Sequence, residues 1–370
     1  MLGMEYDFYV YLCALSKVFS YRCAVGTKLL ELFGDVRRIF ESSRNELLEV
    51  FRGGEQYADE ILDPRLLDWA RSEVDWAAGN GIDLLAVTDS RYPYRLKECE
   101  DAPLMLYYKG TADLNSKRTL GVVGTRRASF YGRDACRRIL ESLSDLDKPP
   151  VIVSGLALGI DGTAHLASLD NNLETVAVIP TGMDEIYPVR HRELASRIAE
   201  KGAIVTDFPR LTAPVAAHFI RRNRVIAGMS DAVLLCESYV PGGGLITARL
   251  ANSYDREVFA VPGRLADKSF EGCNKLIGQN VARIVENVGT VAATMGWTSG
   301  KRSKKDPSLF DCQPDEAGNR VLTILREKSP LSLEDLAQLS GMPVRELSAT
   351  MLELEMSSLV TVEKGKYIIR

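Results

Sequence analysis

Six short apolar runs constrain this chain most: Leu120–Val123, Val151–Ser154, Thr175–Ile179, Ala203–Thr206, Ala232–Cys236 and Val258–Val261. They recur about every 25–30 residues, and the gaps hold amphipathic stretches long enough for helices. The runs are apolar throughout rather than alternating, as strands buried on both faces are. The expected fold class is therefore α/β, an extended Rossmann-like doubly wound parallel sheet spanning residues 86–297. A small helical N-terminal domain and a C-terminal winged-helix domain are expected to flank it.

Residues 1–85 read as helical. Val25, Leu29, Leu30, Leu32 and Phe33 recur at helical spacing, and Trp69 and Trp76 lie two turns apart. Residues 298–314 include Ser299-Gly-Lys-Arg-Ser-Lys-Lys-Asp-Pro307, too polar to build a core, and are predicted to be a basic linker. Over 315–370, three helical patterns (316–327, 332–340 and 343–357) precede two short strands flanking Gly365, the order of a winged helix. Ser332 with Asp335 forms a capping box, and Pro343 suits a first helical turn. Such modules often read the major groove with the third helix. Here Glu334, Asp335, Glu346, Glu353 and Glu355 face a single Arg345 across 331–358, so phosphate is repelled and a protein-contact or packing role is expected.

The formal charge of −4 counts mildly against a nucleic-acid partner, but a binding site needs only a local cluster of cations. The seven cysteines (13, 23, 99, 136, 236, 273 and 312) never form Cys-x-x-Cys, which fits a reducing compartment rather than a disulfide framework or a zinc site. The apolar run Phe8 to Leu15 lacks a basic flank and a cleavage site, and no stretch reaches about 18 uncharged apolar residues. A cytoplasmic protein without membrane, metal or cofactor is expected.

Ligands of open α/β sheets bind beyond the carboxyl ends of the strands, where loops lead into helices. After the first run, Gly124, Thr125, Arg126 and Arg127 combine a bare backbone, a hydroxyl and two guanidinium groups that suit phosphate. The plain alternative is a solvated loop. After the second, Ser154-Gly155 through Gly159 is glycine-rich but has neither G-x-G-x-x-G nor a Walker Lys, which argues against dinucleotides and nucleoside triphosphates. Asp161 and His165, at i and i+4, read more readily as a helix-dipole partner and a core residue than as an acid/base pair. After the third come Arg190, His191 and Arg192. Further on, Arg221-Arg222-Asn223-Arg224 is expected to open a helix, with Arg221 or Arg222 available to pair with Asp207. After the fifth, Pro241-Gly242-Gly243-Gly244 makes a backbone-amide nest suited to an anion.

Taken together, these motifs resemble the DNA processing protein A (DprA/Smf) family. Val122-Val123-Gly124-Thr125-Arg126, Ser154-Gly155-Leu156-Ala157 with Gly159-Ile160-Asp161 and Ala164-His165, Gly182 with Tyr187-Pro188, Phe219 through Arg222-Asn223-Arg224-Val225-Ile226-Ala227, Leu245-Ile246-Thr247-Ala248 and Val258 through Gly263 stand in the family's order, closed by Gly272-Cys273-Asn274 and Leu276-Ile277. The resemblance covers about residues 84 to 290. The flanks resemble the family's SAM or helix-hairpin-helix-like and winged-helix domains more weakly. It implies a homodimeric single-stranded DNA-binding protein of natural transformation (competence) and DNA recombination that protects incoming DNA and loads a RecA-type recombinase. It also implies that phosphates sit on Gly124, Thr125 and Arg126, on a basic residue after Tyr-Pro (here Val189 follows directly, so the role passes to Arg190 or Arg192), and on Asn223 with its flanking arginines. One departure is Pro241-Gly242-Gly243-Gly244, where the family has Arg-Ser-Gly-Ser. The dimer surface is expected near 272–297.

A second class remains in view. Pro-Gly-Gly-Gly resembles the P-G-G-x-G-T-x-x-E loop of the lysine-decarboxylase-like nucleotide phosphoribohydrolases. That alignment puts Arg249 where the catalytic Glu belongs, and a cation cannot serve as its general base. A binding protein, not an enzyme, is the expectation. Phe130, Tyr131 and Phe219 are candidates for stacking on bases.

Overall fold

The computed structural model describes residues 3–51, 54–297, 316–356, 359–363 and 365–369, so the linker expected at 298–314 lies outside the described residues. The chain divides into two compact units, Met1–Gly300 and Lys301–Arg370.

In the first unit, nine strands form one sheet among the described residues: β1 (Asp83–Ala86), β2 (Met105–Gly110), β3 (Thr119–Gly124), β4 (Val151–Ser154), β5 (Thr175–Val178), β6 (Ala203–Thr206), β7 (Ala232–Glu237), β8 (Glu257–Ala260) and β9 (Arg283–Ile284), ordered β1-β2-β6-β5-β4-β3-β7-β8-β9. From β6 across to β9 every pairing is parallel. All six runs anticipated from the sequence are strands. Every residue of β4 to β7 is buried, which explains their uninterrupted apolar character. The helix Phe130–Ser144 packs on Ile160–Asp170, which packs on Arg192–Lys201, while Ala216–Met229 packs on Gly243–Ser253.

The strands β1 and β2 were not anticipated. They run antiparallel, β1 on β2 and β2 on β6, and the boundary expected at residue 85 falls inside β1. Among the described residues six helices precede them: Gly3–Val18, Cys23–Phe33, Val36–Glu41, Arg44–Val50, Glu55–Ile61 and Pro64–Gly79. Their apolar faces form one cluster with Leu84, Ala86, Met105 and Tyr107, so the helical module shares its core with the sheet's antiparallel edge. No described helix is long and apolar enough to cross a membrane.

The second unit contains helices Glu316–Lys328, Leu333–Ser340 and Val344–Met356, then β10 (Val360–Glu363) paired antiparallel with β11 (Lys366–Ile369). Ser332 and Asp335 make the expected reciprocal cap. The architecture is α/β with a large, mostly parallel sheet and a C-terminal winged helix.

An ion-pair cluster ties the helical module to the sheet. Asp207, just beyond β6, accepts from Arg221 at 3.0 Å and from Arg224 at 2.5 Å, and Arg224 reaches Cys23 Sγ at 3.7 Å. Burial alone would push the Asp207 carboxyl up, but Arg224 and Arg221 reverse this and hold it below the ordinary carboxylate range. Asp207→Ala strands two guanidinium groups, and urea unfolding of the full chain should register a loss of about 3–5 kcal/mol.

His165 is held neutral inside the core, where burial pulls its pKa from 6.5 to about 3. The unfolded chain takes a proton below pH 6.5 that the folded chain refuses. Stability is therefore full above that pH and falls toward pH 3, by up to about 1.4 kcal/mol per pH unit. His165→Gln cannot titrate and should flatten this limb of the stability–pH curve. An unchanged slope would remove His165 as its source.

Candidate nucleic-acid interface

Strand order reverses at β3, with β4, β5 and β6 laid to one side and β7, β8 and β9 to the other, so the crevice at its carboxyl end is the switch point where such sheets bind ligands. The loop leaving β3 is pinned there. Thr125 N–H donates to the Glu237 carbonyl at 2.8 Å, and the Thr125 carbonyl accepts from Ile160 N–H at 3.2 Å. Gly124 is needed because a Cβ would lie 2.5 Å from Ile160 Cγ1, and an added Cβ on Gly244 would sit 3.0 Å from the Gly124 Cα. Arg126 and Arg127 leave this anchored backbone exposed.

The helix that follows does not offer its N-terminus to a ligand. Ser129 caps it by accepting from Gly132 N–H at 3.0 Å. The fully buried Glu237 carboxylate then accepts from Ser129 N–H at 2.8 Å and Ser129 Oγ at 2.9 Å. A carboxylate of the chain's own thus occupies the anion position at the positive end of this helix.

Neighbouring loops lock onto the same rim. His191 Nδ1 donates to the Leu156 carbonyl at 2.8 Å, fastening the 189–192 turn to the loop after β4. Leu156 has φ 56°, in the left-handed region that branched residues rarely adopt, and this bond helps hold it there. Arg190 and Arg192 are exposed on that turn. The Arg126 guanidinium lies 4.4 Å from the Phe219 ring centroid, and Phe219 meets Tyr187 edge-on at 5.6 Å. Arg126, Arg127, Arg190 and Arg192 have no carboxylate at ion-pair distance among the described residues.

The arginines of 221–224 behave otherwise. Their helix begins at Ala216, so they lie more than a turn inside it instead of opening it. Arg224 is spent on Asp207, together with Arg221. Arg222, expected as a possible partner of Asp207, instead donates to the carbonyls of Gly155, at 2.5 Å, and Val178. Burial pulls its pKa down to about 10, and Asp161 counters part of that. Gly155 is buried, and a methyl group there would lie 2.6 Å from Arg222 Cζ. Asn223 is buried and accepts from Arg222 Nε at 3.2 Å. Gly155, Arg222, Asn223 and Arg224 therefore form the frame under the rim, not its exposed surface, because this helix is buried on every side from Arg222 to Met229. Gly243 is exposed at the start of Gly243–Ser253.

Asp161 and His165 make no acid/base pair: Asp161 accepts from Ala157 N–H at 3.4 Å, whereas His165 Nδ1 meets Thr175 Oγ1 at 2.7 Å. No group of metal-ligating side chains occurs among the described residues. Phe130 is 75% exposed, and Tyr131 is half exposed with its hydroxyl donating to the Pro262 carbonyl at 3.2 Å. Sequence reasoning missed Tyr187 as part of the aromatic surface. Its Tyr-Pro pair was visible but served only to locate a following cation.

Comparison with known proteins bears on the family and the fold. The sequence model of the DNA recombination-mediator protein A family matches residues 83–296, and that of the DprA winged helix domain matches 305–366. Protein Smf of Escherichia coli K12 is 32% identical over 313 residues, 82% of this chain and 83% of that protein. The crystal structure of DNA processing protein A from Streptococcus pneumoniae superposes with a TM-score of 0.57 at 32% identity, covering 69% of this chain and 94% of that one. A DNA processing protein A from Helicobacter pylori, described for its single-stranded DNA binding mode, superposes with a TM-score of 0.52 at 27% identity over 58% of this chain and 95% of that one. With its sheet domain matched across more than half of the sequence, the chain belongs to the DNA recombination-mediator protein A (DprA/Smf) family.

Proposed function

We propose that this protein binds single-stranded DNA along the carboxyl rim of its sheet. Arg126, Arg127, Arg190 and Arg192 take phosphates, and Phe219 and Tyr187 offer ring surfaces to unstacked bases. The observation that carries this reading is Arg126, an exposed guanidinium on a rigidly anchored loop, 4.4 Å from an aromatic centroid and with no carboxylate at ion-pair distance among the described residues. The Thr125 hydroxyl, whose oxygen accepts from Arg127 N–H at 3.2 Å, and the amides of the Gly243 turn add donors beside it. The single-stranded DNA binding of the related H. pylori protein supports the same assignment.

The reading extends to a cytoplasmic, non-catalytic homodimer of natural transformation that protects incoming strands and passes them to a RecA-type recombinase, as family membership suggests. The dimer surface is placed near residues 272–297. A non-enzymatic role is supported by Arg249, a cation on the Gly243–Ser253 helix where the phosphoribohydrolase loop carries Glu, and by the engagement of Glu237 with Ser129.

With about three of these four cations on phosphates at a time, log K falls with log salt at a slope near −2, so a fourfold rise in salt costs about 20-fold in affinity. Arg126→Ala should lose at least tenfold affinity and flatten the slope by about 0.7, with little change for duplex. Unchanged affinity rejects the site, and cleavage of AMP by the wild type would favour the enzyme. Recombinase filaments should assemble faster on single strands with wild type than with Arg126→Ala, and equal rates would separate loading from this rim.

A further inference from the structure

Beyond the rim lies a cavity of about 330 Å³ between the helical module and the loop after β6, lined among others by Lys17, Tyr21, Trp69, Phe208, His218 and Arg221. It adjoins the proposed DNA surface through one helical turn, for Phe219 carries Arg126 while its neighbours His218 and Arg221 line the cavity.

Its walls suit a nucleobase with a phosphate. The Arg221 guanidinium lies between two rings, 4.7 Å from the Tyr21 centroid and 4.6 Å from that of Phe208. His218 Nδ1 donates to the Ala213 carbonyl at 2.8 Å, and its Nε2 hydrogen-bonds the Tyr21 hydroxyl at 3.2 Å. Tyr21 thus has Arg221 over its ring and His218 at its hydroxyl, yet is 68% exposed. An immobilised, exposed ring stacks on a base with little further loss of side-chain freedom. Lys17 Nζ stands 3.8 Å from the Trp69 centroid and has no carboxylate at ion-pair distance among the described residues. Among the described residues Asp207 is the one carboxylate lining the cavity, and it is already shared by Arg221 and Arg224. Positive charge is left in surplus where the aromatic surface is.

We infer that this cavity is a second subsite for the same single strand, taking one unstacked base against Tyr21 and its adjacent phosphate on Lys17. The inference rests on the proposed binding of single-stranded DNA to the Arg126 rim and lengthens that track onto the helical module. A free mononucleotide has the same chemistry, but the continuity with Phe219 favours a base still joined to a strand.

The test is fluorescence anisotropy with single-stranded oligonucleotides of about 4 to about 16 nucleotides, the span of ordinary single-strand sites. It compares wild type, Arg126→Ala and the double variant Lys17→Met/Tyr21→Ala, whose side chains are exposed and outside the core. The double variant should match wild type on the shortest oligomers and fall about tenfold behind on the longest, with a salt slope flatter by about 0.7. Arg126→Ala should weaken all lengths. If the double variant matches wild type at every length while Arg126→Ala weakens binding, the subsite is wrong and the rim stands. If neither change weakens binding, the rim itself fails. Quenching of Trp69 by deoxyadenosine monophosphate alone, with no gain for longer strands, would make the cavity a mononucleotide site and overturn the inference.

Discussion

Two guanidinium groups converge on one buried carboxylate, and most of the interface geometry follows from that meeting. Arg221 and Arg224 are three residues apart on the helix Ala216–Met229, so both reach Asp207 beyond β6. Arg222 points elsewhere on the same helix and bridges the carbonyls of Gly155 and Val178, at the ends of β4 and β5. Together the three arginines fix the helix in position and rotation against three neighbouring strands. The first turn of that helix then has one place to go, with His218 toward the helical module and Phe219 under Arg126.

This arrangement separates two uses of arginine that a sequence leaves mixed. Six strands were legible because burial on both faces erases alternation and leaves bare apolar runs. The strands β1 and β2 were not, because Asp83–Ala86 and Met105–Gly110 are short apolar pieces that periodicity cannot tell from helix. The Arg126 loop was legible because glycine, threonine and arginine follow directly on a strand. Arg222-Asn223-Arg224 misled because dense charge reads as surface. The helix starts at Ala216, earlier than the arginines imply, so all three fall in its later part, which is buried on every side. The role of Tyr21 was hidden for another reason: its partners, His218 and Arg221, lie about two hundred residues away in sequence.

The overall charge of −4 is compatible with a polyanionic partner because the surplus is local. The inward cations are mostly matched by carboxylates: Arg224 and Arg221 by Asp207, Arg210 by Glu73, and Arg95 by Asp231, while buried Arg222 is held on backbone carbonyls. The rim cations are not. A residue locked in the frame contributes to shape, and one left in water contributes attraction over roughly a Debye length. The same side-chain chemistry therefore builds the scaffold and draws in the ligand, with burial deciding which.

Glu237 shapes what the crevice can admit. Seated on the Ser129 amide and hydroxyl, it fills the slot in which related sheets hold a pyrophosphate and presents like charge to any that approaches. A polymer spread over outlying guanidinium groups has no such slot to find, and phosphates along a strand are interchangeable. On the proposed reading nothing in that attraction fixes register, and a bound strand is expected to creep lengthwise by exchanging one phosphate for the next without letting go.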